Sequence, residues 1–262
     1  STPRRGPSYL TATREALETP VESTPGSHSL TDAGPVGADA ATVNRLASMV
    51  READAPLVVT SKLGANRPEE SLDRLRRFAE AAGAGVVEQR PTALNFPRTH
   101  DLHVGFDPKT AMAEADLVVL ADADIPWEPP SERPVDDVPI VHLDVDPEKP
   151  QYPLWDFETD LAVRADPGAT LAAVADRLES GSAADDWAPW RDEHDRRLTE
   201  RAAALDEQYS DGTLSPSVLT DAIADLVDES TIVLNETTTN KRTVLEHLDL
   251  ERPGSYLSPY GS

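Results

Sequence analysis

The sequence predicts an α/β fold in which helices cover both faces of a parallel, Rossmann-like sheet. Short apolar runs of the kind that form buried strands alternate with segments of helical periodicity between residues 39 and 178. Stretches rich in Ser, Gly, Pro and Asp bound this region on both sides. We therefore expect a linker at 26–35, a central α/β domain at 36–180, and an incomplete second α/β unit after it.

The predicted elements of the central domain alternate regularly. A helix at 39–53 leads into a buried-type strand at 57–60. A second helix begins at Pro68, carries acidic residues in its first turn and ends at Gly83. The other predicted elements are strands at 86–87, 117–121, 139–145 and 161–164, and helices at 108–115 and 169–178. Strands separated by helices in this way are typical of a parallel sheet.

Two flanking segments lack the composition of an independent core. Residues 1–25 contain a strand-like Tyr-Leu-Thr at 9–11 and a short helical turn, followed by proline. Residues 181–212 comprise a linker and a charged helix at 187–208 with few apolar positions, which is typical of a surface arm. We expect both segments to lie at the periphery of the central domain.

The last segment, residues 213–262, reads as the beginning of another α/β unit. Ser215 is a candidate N-cap with proline at the first helical position, and a strand is predicted at 231–234. Because no further strands follow to complete a sheet, we expect residues from about Arg252 onward to pack irregularly or against a neighbouring molecule.

Composition excludes several classes of protein. The chain has 48 acidic and 24 basic residues, a formal charge of −24, which opposes binding to nucleic acid or to anionic membranes. A dispersed acidic load with few lysines favours adaptation to strong salt. The absence of cysteine excludes disulfides and thiolate metal sites. No apolar run approaches the ~18–20 residues of a membrane span, and we expect a cytoplasmic protein.

Two predicted strands end in paired acids. Asp122 and Asp124 follow one strand, and Asp144 and Asp146 follow the next. The carboxyl ends of strands in open parallel sheets are where ligands bind, and an acid there can accept hydrogen bonds from a ribose or an adenine. For any single one of these aspartates, capping a loop or starting a turn is the more common role.

Other candidate motifs are weaker. His100 and His103 could share a metal, but no cysteine or nearby carboxylate completes a ligand set, which favours histidines on a loop. The turn after the first strand has one glycine, Gly64, where a dinucleotide fingerprint needs three, so Gly64 is interpreted as a turn residue. Motifs of serine hydrolases, zinc proteases and phosphate-loop enzymes are absent from the sequence.

Several stretches together carry a family likeness: GPSYLTATREAL, LNFPRTHDLHVGF, ADLVVLADADIPW, IVHLDVDP and RPGSYLSPYGS. In this order they resemble the thiamine-diphosphate-dependent enzymes of the acetolactate synthase and benzoylformate decarboxylase group, over nearly the whole chain. The resemblance implies that residues 1–25 end the pyrimidine-binding domain and 36–180 form the central domain. Residues 213–262 would open the diphosphate-binding domain, which would continue beyond the last residue.

The resemblance also implies a function. The full-length enzyme would bind thiamine diphosphate and Mg²⁺, act on a 2-oxo acid by decarboxylation or carboligation, and form a homodimer or homotetramer. Thr238 and Thr239 would contact the diphosphate, and Gly261 and Ser262 would lie by the aminopyrimidine. A threonine-rich turn or helix cap is an equally good account of the two threonines. The catalytic and metal-binding residues would lie outside these 262 residues, so the chain alone is expected to be inactive.

Some enzymes of this group also bind FAD across the central domain. The resemblance places Asp144 or Asp146 near the adenosine part of FAD, but Asp122 and Asp124 stand where FAD binders carry a cation. We therefore expect FAD to bind weakly or not at all. The alternative to an enzyme is a non-catalytic α/β ligand-binding or scaffold domain, which the same central sheet would also fit.

Overall fold

A computed structural model describes residues 9–20, 34–128, 137–150, 152, 157–179 and 188–259. Its main feature is a six-stranded, entirely parallel sheet with the strand order β3-β2-β1-β4-β5-β6. The strands are β1 (Pro56–Thr60), β2 (Gly85–Glu88), β3 (His103–Gly105), β4 (Leu117–Ala121), β5 (Ile140–Asp144) and β6 (Leu161–Arg164). The predicted α/β fold with a parallel Rossmann-like sheet is confirmed.

Helices and a short second sheet account for most of the remaining described structure. The helices are α1 (Arg14–Glu18), α2 (Ala40–Glu52), α3 (Pro68–Ala82), α4 (Pro108–Glu114), α5 (Pro167–Glu179), α6 (Ala188–Ser210), α7 (Pro216–Ala224) and α8 (Lys241–His247). The second sheet pairs β7 (Val233–Leu234) with β8 (Tyr256–Leu257) in parallel. No helix in these ranges is long and apolar enough to cross a membrane.

The local sequence explains how the central elements begin and end. Every residue of β1, β4 and β5 is buried, because these strands are apolar on both faces and helices pack over the sheet. The Asp39 side chain caps α2 by accepting hydrogen bonds from two backbone N–H groups. Gly83 ends α3 in the left-handed conformation that glycine adopts readily. The helices α2, α3 and α5 pack together and close one side of the core.

Two of the peripheral elements differ from expectation. Residues 9–11 are exposed and form no strand, so the strand predicted there is wrong. The strand β3 is not among the predicted strands, because it is only three residues long and lies in a polar stretch. Its backbone nevertheless pairs with β2, and this pairing supplies one edge of the sheet.

The charged helix α6 is not a surface arm. Trp190 is buried against the backbone of Gly85, where a Cβ atom would lie 2.7 Å from the indole ring. One turn further on, His194 Nδ1 donates a hydrogen bond to the carbonyl oxygen of His103 (2.8 Å), and Arg197 Nη1 donates to the same oxygen (3.3 Å). These side chains recur at helical spacing and hold α6 along the edge strand β3.

The end of the chain also packs more regularly than expected. Residues from Arg252 onward were predicted to pack irregularly, yet Tyr256 is completely buried and Leu257 forms an antiparallel bridge with Ala93 of the central domain. The expectation of irregular packing is wrong, because the central domain itself provides a surface on which this segment lies. Gly261 and Ser262 fall outside the described residues.

Candidate functional site

The carboxyl edge of the sheet gathers the acids that the sequence singled out. Asp122 and Asp124 follow β4, and Asp144 and Asp146 lie at the end of the adjacent strand β5. All four are buried. Residues far apart in the chain therefore form one polar cluster, which we call the carboxyl-edge cluster and to which Lys62, Lys149 and Tyr152 also belong. Sequence patterns did not predict which cations join this cluster.

Two lysines hold the carboxylates together. Lys62 Nζ lies 2.6 Å from Asp124 Oδ1 and 3.6 Å from Asp122 Oδ1. Lys149 Nζ lies 2.7 Å from Asp124 Oδ1 and also forms an ion pair with Asp144. Lys149 is only 2% exposed, so its charge needs these partners to remain buried.

Burial and neighbouring charges separate the two acids that follow β4. Burial raises the pKa of Asp122 to about 7, with Asp144 and Asp124 adding to the rise and Lys62 opposing it. Burial would also raise the pKa of Asp124, but hydrogen bonds from Lys149 and Lys62 hold it below its usual value. Asp122 also adopts a left-handed backbone conformation, with φ of 53°. One acid thus titrates near neutrality beside another that stays ionised.

The acids at the end of β5 have structural partners. Asp144 Oδ1 accepts a hydrogen bond from the backbone N–H of Asp146 (2.8 Å), as expected of an aspartate that starts a turn. Asp146 Oδ1 lies 3.3 Å from Arg164 Nη1 on β6. A ligand that donated hydrogen bonds to Asp144 would have to displace Lys149 or this turn.

A second buried polar network joins β2, β3 and the loop between them. Glu88 accepts hydrogen bonds from the backbone and side chain of Asn95 (2.8 and 3.0 Å), and its Oε2 lies 3.3 Å from His103 Nε2 and 3.5 Å from Arg98 Nε. Burial lowers the pKa of His103 to about 4, although Glu88 opposes this. Burial would raise the pKa of Glu88, but the hydrogen bond with His103 and the charge of Arg98 hold it below its usual value. His103 is the first residue of β3, so its interpretation as a loop residue is wrong.

The two histidines do not share a site. His100 Nε2 lies 3.2 Å from Glu80 on α3, whereas His103 faces Glu88. Among the described residues, no group of three or more His, Asp or Glu side chains could hold a metal ion. Gly64 is likewise a packing residue, since a Cβ atom there would lie 1.9 Å from the carbonyl oxygen of Leu94.

The threonine turn, residues 237–240, lies between β7 and α8. Thr238 and Thr239 are exposed, and Asn235 supports the turn from below by accepting hydrogen bonds from the backbone and hydroxyl of Thr237 (3.1 and 2.7 Å). Partial burial and the nearby Arg90 lower the pKa of Lys241, the first residue of α8. Exposed hydroxyls with cations nearby are groups that suit a diphosphate, so these residues fit the diphosphate end of the cofactor.

A family model provides the identification. The model described as the thiamine pyrophosphate enzyme central domain matches residues 43–174, slightly more than half of the 262 residues. The chain belongs to this family. The matched residues run from α2 to α5 and include the carboxyl-edge cluster and the Glu88 network.

Solved structures of thiamine pyrophosphate enzymes share the fold. A protein from Mycobacterium smegmatis, named as a thiamin diphosphate-dependent enzyme, is 19% identical with a TM-score of 0.65, and the match covers 89% of this chain and 44% of that one. The thiamine diphosphate-dependent 4-hydroxybenzoylformate decarboxylase of Rhodococcus jostii RHA1 is 17% identical with a TM-score of 0.63, and the match covers 89% of this chain and 42% of that one. The benzoylformate decarboxylase of Polynucleobacter necessarius is 13% identical with a TM-score of 0.64, and the match covers 93% of this chain and 44% of that one. The chain therefore spans less than half the length of the solved chains that it matches.

Proposed function

We propose that the chain is the central portion of a thiamine-diphosphate- and Mg²⁺-dependent enzyme that acts on 2-oxo acids by decarboxylation or carboligation, as acetolactate synthases do. The observation that carries this proposal is the family match over residues 43–174. The names of two structural neighbours, both decarboxylases of benzoylformate-type acids, favour a 2-oxo acid as substrate. We further propose a cytoplasmic enzyme that is a homodimer or homotetramer at full length.

The C-terminal unit supports a larger protein. We assign residues 1–25 to the end of the pyrimidine-binding domain, 36–180 to the central domain and 213–262 to the start of the diphosphate-binding domain. In the last of these, large apolar side chains are exposed on and around α7 and the small sheet. They are Leu219, Ile223, Leu226, Ile232, Leu234 and Leu257. Such a surface is costly in water and is suited to packing against further structure.

The threonine turn is the proposed contact with the cofactor. Thr238 and Thr239 would donate hydroxyl hydrogen bonds to the diphosphate, with Lys241 supplying positive charge nearby, and Gly261 and Ser262 would lie by the aminopyrimidine. Thiamine diphosphate supplies the carbanion-stabilising chemistry of such enzymes when it is bound. This chain's residues would hold and orient it, and neither the catalytic nor the metal-binding groups would come from them.

The central site is proposed to bind FAD weakly or not at all. Asp144 and Asp146 remain the candidates for contact with an adenosine. However, Lys62 and Lys149, the cations of the carboxyl-edge cluster, are already paired with Asp122, Asp124 and Asp144. A diphosphate would have to compete with carboxylates for them. Full-length protein that is purified yellow and releases one flavin per subunit would contradict this proposal.

Calorimetric titration and an activity assay test the proposed function. The full-length protein should bind thiamine diphosphate in the presence of Mg²⁺ and release CO₂ from benzoylformate or pyruvate. A Thr238→Ala/Thr239→Ala variant should bind the cofactor about tenfold or more weakly, since each lost hydrogen bond to a charged group is worth roughly 1.5–3 kcal/mol. Thr213→Ala, an exposed threonine outside the turn, is the matched control.

Two outcomes would change the conclusion. Saturable binding of the cofactor by residues 1–262 alone would show that this segment already contains the complete site. A full-length protein that binds no cofactor would favour the alternative, a non-catalytic α/β ligand-binding or scaffold domain. The mutual pairing of the charges at the carboxyl edge is the observation that favours this alternative.

A further inference from the structure

A cavity of about 480 Å³ lies between α6, the segment that joins β3 to α4, and α8. None of its lining residues belongs to the carboxyl-edge cluster or to the threonine turn. Its volume is within the ~300–1,000 Å³ that is usual for small-molecule sites. We call it the arginine cavity, because four arginines line it in a chain whose net charge is −24.

Three of these arginines are already neutralised. The ion pairs are Arg196 with Glu193 and Glu200, Arg201 with Asp249, and Arg242 with Asp107 and Glu246. Arg197 differs from them, because no carboxylate in the described ranges forms an ion pair with it. Its hydrogen bond goes to the carbonyl oxygen of His103, at 3.3 Å. A guanidinium with several donor positions and one neutral acceptor is a site that an anion can complete.

His247, on α8, also lines the cavity. Burial, followed by repulsion from Arg201, lowers the pKa of its imidazole. Burial is also the first cause of the lowered pKa of Arg197, followed by the opposing effects of Glu246 and Glu193 and then by repulsion from Arg201 and Arg242.

Part of the cavity wall is apolar and is formed by Val104, Phe106, Leu198 and Leu205. Thr110, Gln208 and Ser217 add neutral polar groups to the lining. We propose that the arginine cavity binds a small organic monocarboxylate, with Arg197 holding the carboxylate and the apolar wall holding the body of the molecule. The planar guanidinium matches a carboxylate through two parallel hydrogen bonds. The acidic residues of the lining, Asp107, Glu193, Glu200 and Glu246, would repel the additional charges of a polyanion.

The test is calorimetric titration of the full-length protein with sodium benzoate, with inorganic phosphate as a second probe. Arg197→Met removes the charge but keeps the length of the side chain, and it should weaken benzoate binding about tenfold or more. Ala204→Phe leaves every charge in place and narrows the cavity, since Ala204 lines it, and should weaken binding similarly. Arg76→Met is the matched control: this arginine is ion-paired on α3 with Asp73 and Glu80 and should leave binding unchanged.

The outcomes separate clearly. Saturable binding that is weakened in both cavity variants and unchanged in the control supports the proposal. Benzoate binding that neither variant alters would place the ligand elsewhere, for example at the cofactor site, and would overturn it. The absence of saturable binding would overturn it as well. Tighter binding of phosphate than of benzoate would refute the assignment to an organic carboxylate. Thermal melts of each variant identify any that fail to fold. If Arg197→Met does not fold, Ala204→Phe still tests the proposal.

Discussion

The two parallel sheets of the molecule are built from similar strands but are buried very differently. Every residue of β1 and β4 lies in the core of the six-stranded sheet. In the two-stranded sheet, Leu234 is 63% exposed and Leu257 is 46% exposed. An apolar strand is thus not buried by its own composition. It is buried only when helices and neighbouring strands cover both of its faces, as they do between α2 and α5.

Tyr256 is an exception to this difference in burial between the two sheets. This residue of β8 is completely buried, because the guanidinium of Arg98 lies between its ring and that of Phe106, at 4.7 and 5.2 Å from the ring centroids. Arg98 also donates a hydrogen bond through Nη1 to the carbonyl oxygen of Leu248 (3.2 Å). Arg98 therefore attaches the small sheet to the central domain, together with the bridge between Leu257 and Ala93.

The largest effect is expected from removing that attachment. Arg98→Met should destabilise the chain by about 3–5 kcal/mol, since it leaves the buried Glu88 carboxylate without its cation. Hydrogen exchange should then show loss of protection in β7 and β8 while β1 and β4 stay protected. Arg76→Met serves as the control for removing an arginine charge. Equal loss of protection in both sheets would mean that the two do not differ in stability as described.

The second prediction compares one leucine from each sheet. Leu120→Ala in β4 should cost about 2–5 kcal/mol, because it leaves a cavity in a close-packed core. Leu234→Ala in β7 should change the stability by no more than about 0.5 kcal/mol, since its side chain is mostly exposed. Urea melts of both variants give the comparison directly. Similar losses would show that the second sheet is as well packed as the first.

The third prediction concerns pH and the carboxyl-edge cluster. The pKa of Asp122 is about 7 in the fold, against an ordinary 3.8. Its contribution to stability is therefore present at low pH and is lost as the pH rises through about 7. The asparagine in Asp122→Asn does not titrate. The free energy of unfolding of this variant should therefore rise relative to that of wild type by on the order of 2 kcal/mol between about pH 5 and about pH 8.

Unfolding both proteins at each pH tests this, because the histidines titrate alike in the two proteins and cancel from the difference. Asp116→Asn provides a control acid outside the cluster. A difference between wild type and Asp122→Asn that does not change with pH would mean that Asp122 is ionised throughout this range.

The smallest expected effect is that of salt. Acids outnumber bases by 48 to 24, and their repulsion is screened as the Debye length falls to about 3 Å at 1 M. The Tm should rise by a few degrees as KCl increases from about 0.1 to about 2 M, in both sheets alike because the charge is dispersed. A Tm that is flat or falls over this series would contradict the proposed adaptation to salt.

Sequence patterns predicted the central domain well, because its signals are local. The strands β4 and β6 coincide with the predicted 117–121 and 161–164, and α3 begins at Pro68 and ends at Gly83 as its caps indicate. The burial of Tyr256 could not be predicted in this way, since it depends on Arg98, more than 150 residues earlier in the chain.

In the carboxyl-edge cluster, too, sequence patterns predicted the local features but not the contacts between distant residues. The four aspartates were identified because each pair follows an apolar strand, which is a local pattern. Their partners were not, since Lys62 follows β1 and Lys149 follows β5, and only the strand order brings both to Asp124. The exposed Thr238 and Thr239 lie at the predicted turn, but their contact with a cofactor stays a prediction.

The position of α6 along β3 has a consequence for solubility. An edge strand presents unpaired carbonyl and N–H groups that invite another chain to add to the sheet, a common route to aggregation. Here His194 and Arg197 occupy the outward carbonyl of His103, and Trp190 holds the helix in place. A helix rich in charge thus closes the edge of the sheet, so that concentrated protein is protected against strand-to-strand association along this side.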